Sequence, residues 1–390
     1  MNNFEKNPNK KVGVIKTIIF SLIPLLILLF SLEILARVIE IWYPPMIMDI
    51  GLGFTEDSKL FIADPSSSQY LITNPNKVIA FQPQRFPARK EKGTYRIFFL
   101  GGSSVNYVNY ELPGLAQRIK EKFHPKIKKV EIINCGGLSY GSHRLVLIAR
   151  EVANYEPDLA LIYSAHNEFE EIEQLDLAKI KTTKLQKVLY SFAFMRFVRD
   201  RVAQYQISKL KAEHNRRLLA QSLPDASKGW LHKFTPEEIG ERMKKYEENL
   251  REIIHTFREK NADVIIATVP SNLVKPCLFG ESAEEYQKVL NLMSAGKYEE
   301  AYELGRKILK NTSPRHQSSD NENEIIRRIS TELNVPLADV YEAVRKAEPH
   351  GIPGETLFND HCHLNPEGNK IMIKCFEEKI YELLSSKLSS

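Results

Sequence analysis

Five short and mostly apolar runs, Tyr95–Leu100, Val130–Asn134, Leu159–Tyr163, Asp263–Val269 and Pro336–Val340, recur along the chain with helical patterns between them. Runs of this length, rich in branched and aromatic residues, read as buried strands. Strands that alternate with helices pair in parallel through right-handed crossovers, which leave helices on both faces of one sheet. The alternation therefore predicts an α/β fold: a doubly wound, flavodoxin-like parallel sheet of about five strands. Open sheets of this kind bind ligands beyond the carboxyl ends of their strands. The first three runs end in turns rich in Gly, Ser and Asn: Gly101-Gly102-Ser103-Ser104, Asn134 through Ser139, and Ser164-Ala165-His166-Asn167-Glu168. The fold gathers these three polar turns at one edge.

Ahead of the sheet, residues Ile18 to Leu32 are almost wholly apolar, and with Leu35 and Ala36 the stretch approaches the length of a membrane-spanning helix. Lys6, Lys10, Lys11 and Lys16 precede it, whereas Arg37 is the one basic residue between it and Lys59. That bias predicts a cytoplasmic N-terminus and an exported remainder. A cleaved signal peptide is the competing reading, but the run is long for one and no A-x-A-like site follows. Glu33 is costly in hydrocarbon and is expected near the interface or paired with Arg37 one turn on. The expected organisation is a tail at 1–11, an anchor at 12–41, a stalk and lead-in at 42–93, and an α/β domain at 94–390.

Two insertions interrupt the domain. Residues 170–262 are helical in pattern and highly charged, and their basic and aromatic portion, 184–199, suits an amphipathic helix that packs on its own domain, lies on the membrane or covers a site. Residues 282–313 read as a helical hairpin, and Ala295 through Ala301 resembles the turn of a tetratricopeptide unit. One unit does not make a peptide-binding array, so the hairpin is expected to pack on the domain. The net charge of +5 is scattered and gives no reason to expect nucleic acid. Cys135, Cys277, Cys362 and Cys375 lack the paired spacing of zinc or redox motifs.

Ser103 lands where a strand gives way to a helical pattern, marked by Leu112, Leu115, Ala116 and Ile119. Unpaired N–H groups at a helix start favour developing negative charge. Gly-Gly-Ser alone fits a phosphate-binding or purely structural turn equally well. Far along the chain, Asp360 and His363 lie three residues apart, so the carboxylate can fix the imidazole tautomer and leave the other nitrogen as a base. His361, His363 and Asp360 also suit a metal, and that segment alone does not separate the two readings. No second cluster of Asp and His completes a metal shell, whereas Gly101-Gly102-Ser103 supplies a nucleophile. Ser104 is the neighbouring alternative nucleophile.

Taken together, these segments resemble the blocks of SGNH (GDSL-type) hydrolases, of a membrane-anchored bacterial type with a short tetratricopeptide-like insertion. The resemblance implies that Ser103 is the nucleophile, Asn167 an oxyanion-hole amide, Asp360 the orienting acid and His363 the base. Ala165 stands where the third block commonly has glycine. In the second block Ser139 stands at the expected last glycine, so its N–H, or that of Gly136 or Gly137, would complete the oxyanion hole. The implied activity is an extracytoplasmic serine esterase hydrolysing O-acyl esters of a carbohydrate or lipid through an acyl-enzyme, with no cofactor or metal. The alternatives are acyl transfer onto a surface polysaccharide beside a membrane-bound O-acyltransferase partner, and an inactive scaffold.

Overall fold

The computed structural model of the chain describes residues 8–42, 59–78, 80–171, 191–198, 201–202, 205, 234–278, 281–312 and 315–389. The sheet predicted from the apolar runs is present: β4 (Thr94–Gly101), β5 (Lys129–Gly136), β6 (Leu159–Tyr163), β7 (Asp263–Ala267) and β8 (Leu337–Ala338) pair in the order β5-β4-β6-β7-β8, every pair parallel. Gly101 is in register with both Gly136 and Tyr163, so the three central strands stop at one level and the three polar turns begin side by side. Because β4 lies between β5 and β6, the chain leaves its strand ends in opposite directions there, which opens a crevice at the β4/β6 boundary.

Helices flank the sheet on both faces. Alternate residues of β4 face opposite layers, as the pleat requires. Phe99 meets Phe376 of α10 (Pro366–Ser389) edge-on at 5.1 Å, and Phe98 meets Phe86 at 6.1 Å. On the α10 side, α3 (Leu112–Phe123) joins the layer through Phe123 and Tyr381 and through an ion pair between Arg118 and Glu377. Elsewhere α4 (Ser142–Val152) packs against α5 (Pro236–Arg258), which begins with a Thr235/Glu238 capping box. Two further helices, α8 (Asp320–Leu333) and α9 (Val340–Ala347), flank β8 in the chain.

Residues 59–87, inside the expected stalk and lead-in, carry a small antiparallel sheet of β1 (Phe61–Asp64), β2 (Ser67–Thr73) and β3 (Arg85–Pro87). Phe61, Phe81 and Phe86 are buried in the main core, and the Glu151 carboxylate accepts the N–H groups of Leu60 and Phe61 at 2.6 and 2.9 Å. The predicted hairpin is α6 (Glu281–Ser294) and α7 (Tyr298–Asn311), joined through Gly296 at φ +72°. It packs on the domain through Tyr302 and Tyr341, whose hydroxyls meet at 2.9 Å. The N-terminal α1 (Pro8–Trp42) includes a stretch, Leu22–Trp42, long and apolar enough to cross a membrane, and Glu33 pairs with Arg37 at 2.7 Å. Of the basic and aromatic portion at 184–199, only 191–198 falls among the described residues.

Candidate active site

Ser103 opens a five-residue helix, α2 (Ser103–Tyr107), that precedes the expected α3 and follows β4 through Gly102 alone. This fixes the hydroxyl at the strand end, beside N–H groups that have no intrahelical partner. The His363 Nε2 lies 2.7 Å from the Ser103 Oγ, and the His363 Nδ1 lies 2.6 Å from the Asp360 carboxylate. Residues 260 apart in the chain are thus joined in one hydrogen-bonded relay. Ser104, the alternative nucleophile, has its hydroxyl buried without a hydrogen-bond partner among the described residues.

The loop carrying the acid and base is pinned at several points. A bridge between Phe358 and Leu364 closes it, with the Asn359 N–H donating to the His363 carbonyl at 2.9 Å. Asn272, just beyond β7, donates its backbone N–H to the His361 carbonyl at 3.0 Å and its Nδ2 to the Asp360 carbonyl at 2.8 Å. Partial burial would raise the Asp360 carboxyl, but hydrogen bonds from the His363 ring and from the Cys362 and His363 N–H groups outweigh it and hold the group below its ordinary range. Asp360 therefore stays ionised at neutral pH, as an acid that orients and balances an imidazolium must.

Asn167 is buried against the nucleophile's turn, with its Nδ2 donating to the Tyr140 carbonyl at 3.0 Å. A Cβ placed on Gly102 would stand 2.5 Å from that same Nδ2, so the glycine is what lets the amide approach Ser103. In the second block the expected donors separate. The Gly136 N–H is taken by the Asn134 Oδ1 at 2.9 Å, and the Gly137 N–H by the Gly101 carbonyl at 3.0 Å. Gly136, expected among the oxyanion donors, instead serves close packing, because a Cβ there would overlap the Asn106 backbone nitrogen. The Ser139 N–H has no protein partner among the described residues, and Ser139 sits at φ +62°, a left-handed conformation uncommon outside glycine.

A buried ionic cluster that the sequence analysis missed holds these two turns together. Glu171 accepts from the Gly141, His143 and Arg144 N–H groups and from the Arg144 guanidinium at 2.7 Å, and Arg144 also donates to the Ser139 carbonyl. Glu168 accepts from Ser142 and Arg242. Arg144 inside the apolar pattern of α4 was the available signal. Burial would raise the Glu171 carboxyl, and Arg144 and Arg242 overcome it to hold the group ionised.

Asp360, Cys362 and His363 bring one donor atom each within 4.8 Å of one another, the composition of a metal site. Both ring nitrogens of His363 are already engaged, burial pushes the Cys362 thiol up and away from the thiolate a metal would need, and His361 lies outside the cluster. The fit to a metal is poor. His166 is fully enclosed, accepts the Ser318 N–H on Nδ1 at 3.1 Å and has its pKa pushed down to about 3 by burial and by His363 and His361, so it is no base at neutral pH.

No protein-family model matches the chain, and no curated protein matches it. Among solved structures, a GDSL-like lipase from Bacteroides thetaiotaomicron is similar at 12% identity, covering 77% of this chain and 93% of that one, with a TM-score of 0.41. An acetyl xylan esterase is similar at 14% identity, 73% and 99% coverage and a TM-score of 0.40. An acetylxylan esterase from Geobacillus stearothermophilus follows at 14% identity, 73% and 94% coverage and a TM-score of 0.38. In its sequence blocks, its sheet order and the relay joining Ser103, His363 and Asp360, the chain resembles the SGNH (GDSL-type) hydrolases.

Proposed function

We propose that the chain is a membrane-anchored, extracytoplasmic serine esterase that removes O-acyl groups, acetyl among them, from a carbohydrate or lipid. The observation that carries this reading is the relay itself, with Ser103 Oγ, His363 and Asp360 in hydrogen-bond contact at 2.7 and 2.6 Å. Ser103 Oγ attacks the ester carbonyl carbon while His363 Nε2 takes its proton, and Asp360 balances the imidazolium. The carbonyl oxygen gains negative charge, which the Asn167 amide and the Ser103 and Ser139 N–H groups stabilise. His363 returns the proton to the leaving alkoxide. Water, deprotonated by the same nitrogen, then cleaves the acyl-enzyme, releasing the acid and restoring Ser103. Lysines before the apolar stretch support an N-terminus on the cytoplasmic side and a site outside.

The full chain in detergent is expected to hydrolyse p-nitrophenyl acetate and to react with a fluorophosphonate probe, and Ser103→Ala is expected to abolish both. Persistence of either in the variant, or a folded wild-type chain that shows neither, refutes the proposal.

A further inference from the structure

The helical insertion and the apolar N-terminal helix meet. Glu33 Oε1 and Oε2 accept the Ala193 and Phe194 N–H groups, each at 3.0 Å, and Glu40 receives the Arg196 guanidinium through two bonds at 2.8 and 2.7 Å. Glu33, Ala36, Arg37 and Glu40 share one face of α1 by helical spacing, and Ala36 is buried on it, as Ala193 is on the opposing segment. Small residues at the meeting point let the two backbones approach closely.

Depth follows from the same helix. Charges cost most in hydrocarbon, so within and just before the Leu22–Trp42 stretch the uncharged run from Thr17 to Leu32, which rises roughly 24 Å, takes the core; Glu33 then stands at its outer boundary and Glu40 roughly 10 Å further out, within the headgroup layer. A segment bonded to both carboxylates occupies that layer. Its exposed side chains suit it: Phe192, Val198 and Val202 are open, as are Val38, Ile41 and Trp42 of α1. Arg201 is also exposed, and Lys184, Lys187 and Arg199 flank it in sequence against the single Asp200.

We propose that residues 191–198 and 201–202, docked on the outer end of α1 through Glu33 and Glu40, form a second membrane contact that lies in the headgroup layer of a bilayer containing anionic phospholipid. The apolar side chains enter the acyl boundary and the basic ones face phosphate. This rests on reading α1 as a membrane span, and the test separates the two.

In a Trp230→Phe background, native Trp42 reports on α1. With Trp42→Phe added, Phe192→Trp or Val202→Trp reports on the segment. The full chain is reconstituted in phosphatidylcholine and phosphatidylglycerol vesicles whose lipids are brominated near the headgroup. The proposal expects bromolipid quenching and iodide protection at positions 192 and 202, and loss of quenching at 202 when Arg196→Glu breaks the pair with Glu40. If Trp42 is quenched while 192 and 202 remain open to iodide and untouched by bromolipid, the span stands and the proposal falls. Quenching at 202 that Arg196→Glu leaves unchanged overturns the docking through Glu40. If Trp42 itself is not quenched, the span reading fails and the proposal with it.

Discussion

Asn167→Ala removes the side-chain amide brought against the turn of Ser103, and its consequences divide into two measurable parts. In the resting site the Asn167 Nδ2 donates to the Tyr140 carbonyl at 3.0 Å, which leaves its second N–H for the oxygen that becomes charged during attack. Loss of an oxyanion donor costs about 100- to 1000-fold in kcat, or about 2.7–4 kcal/mol of transition-state stabilisation. Because that charge is absent in the bound ester, KM should hold while kcat falls. The truncation also removes the hydrogen bond to the Tyr140 carbonyl, costing about 1 kcal/mol of folding stability. Steady-state kinetics on p-nitrophenyl acetate read the first part and urea unfolding reads the second. Asn167→Asp keeps the shape but replaces the donor with an acceptor, so it should be no more active than the alanine variant. A folded Asn167→Ala enzyme within about threefold of wild type, under 1 kcal/mol, would refute the role given to this amide.

His166 gives a pH prediction with a definite sign. Its pKa is about 3 folded against 6.5 ordinarily, so the unfolded chain takes up a proton as pH falls through 6.5 while the folded chain does not until about 3. Its contribution is therefore whole above 6.5 and is lost on acidification by up to about 1.4 kcal/mol per pH unit. His166→Asn, whose Oδ1 can accept the Ser318 N–H, should flatten that part of the stability profile, and an unchanged slope would contradict the assignment. Asn272→Ala removes the bond to the Asp360 carbonyl and frees the Val274 and Lys275 N–H groups, so it should cost about 3 kcal/mol of stability at about 1 kcal/mol for each of three bonds, and lower kcat. An undiminished kcat would mean that the acid-and-base loop does not need this strut. Gly102→Ala should push the Asn167 amide aside and lower kcat about tenfold or more, since small displacements at a reacting centre are costly.

The sheet was legible because its strands are mostly apolar and bounded by breakers, a local signal that survives without tertiary information. Each predicted run from Tyr95 onward coincides with an observed strand, with β7 and β8 shorter than the runs they came from. Ser103, Asp360 and His363 could be named because each stands in a short block, and the flavodoxin-like order then brings the first block to the third. What stayed hidden depends on tertiary pairing. Arg144 reads as an ordinary basic residue on an amphipathic helix until Glu171 is placed beside it, and Asn272 as a loop residue until the Asp360 carbonyl arrives. Choosing among Gly136, Gly137 and Ser139 required knowing which N–H groups are already spent, a fact of backbone geometry that residue identity does not carry.

The most direct measurement is peptide mapping by mass spectrometry after the full chain has reacted with a fluorophosphonate. A single adduct is expected on the hydroxyl of Ser103, with strongly reduced labelling in His363→Ala. An adduct on Ser104 or on another residue, or undiminished labelling without the imidazole, would contradict it.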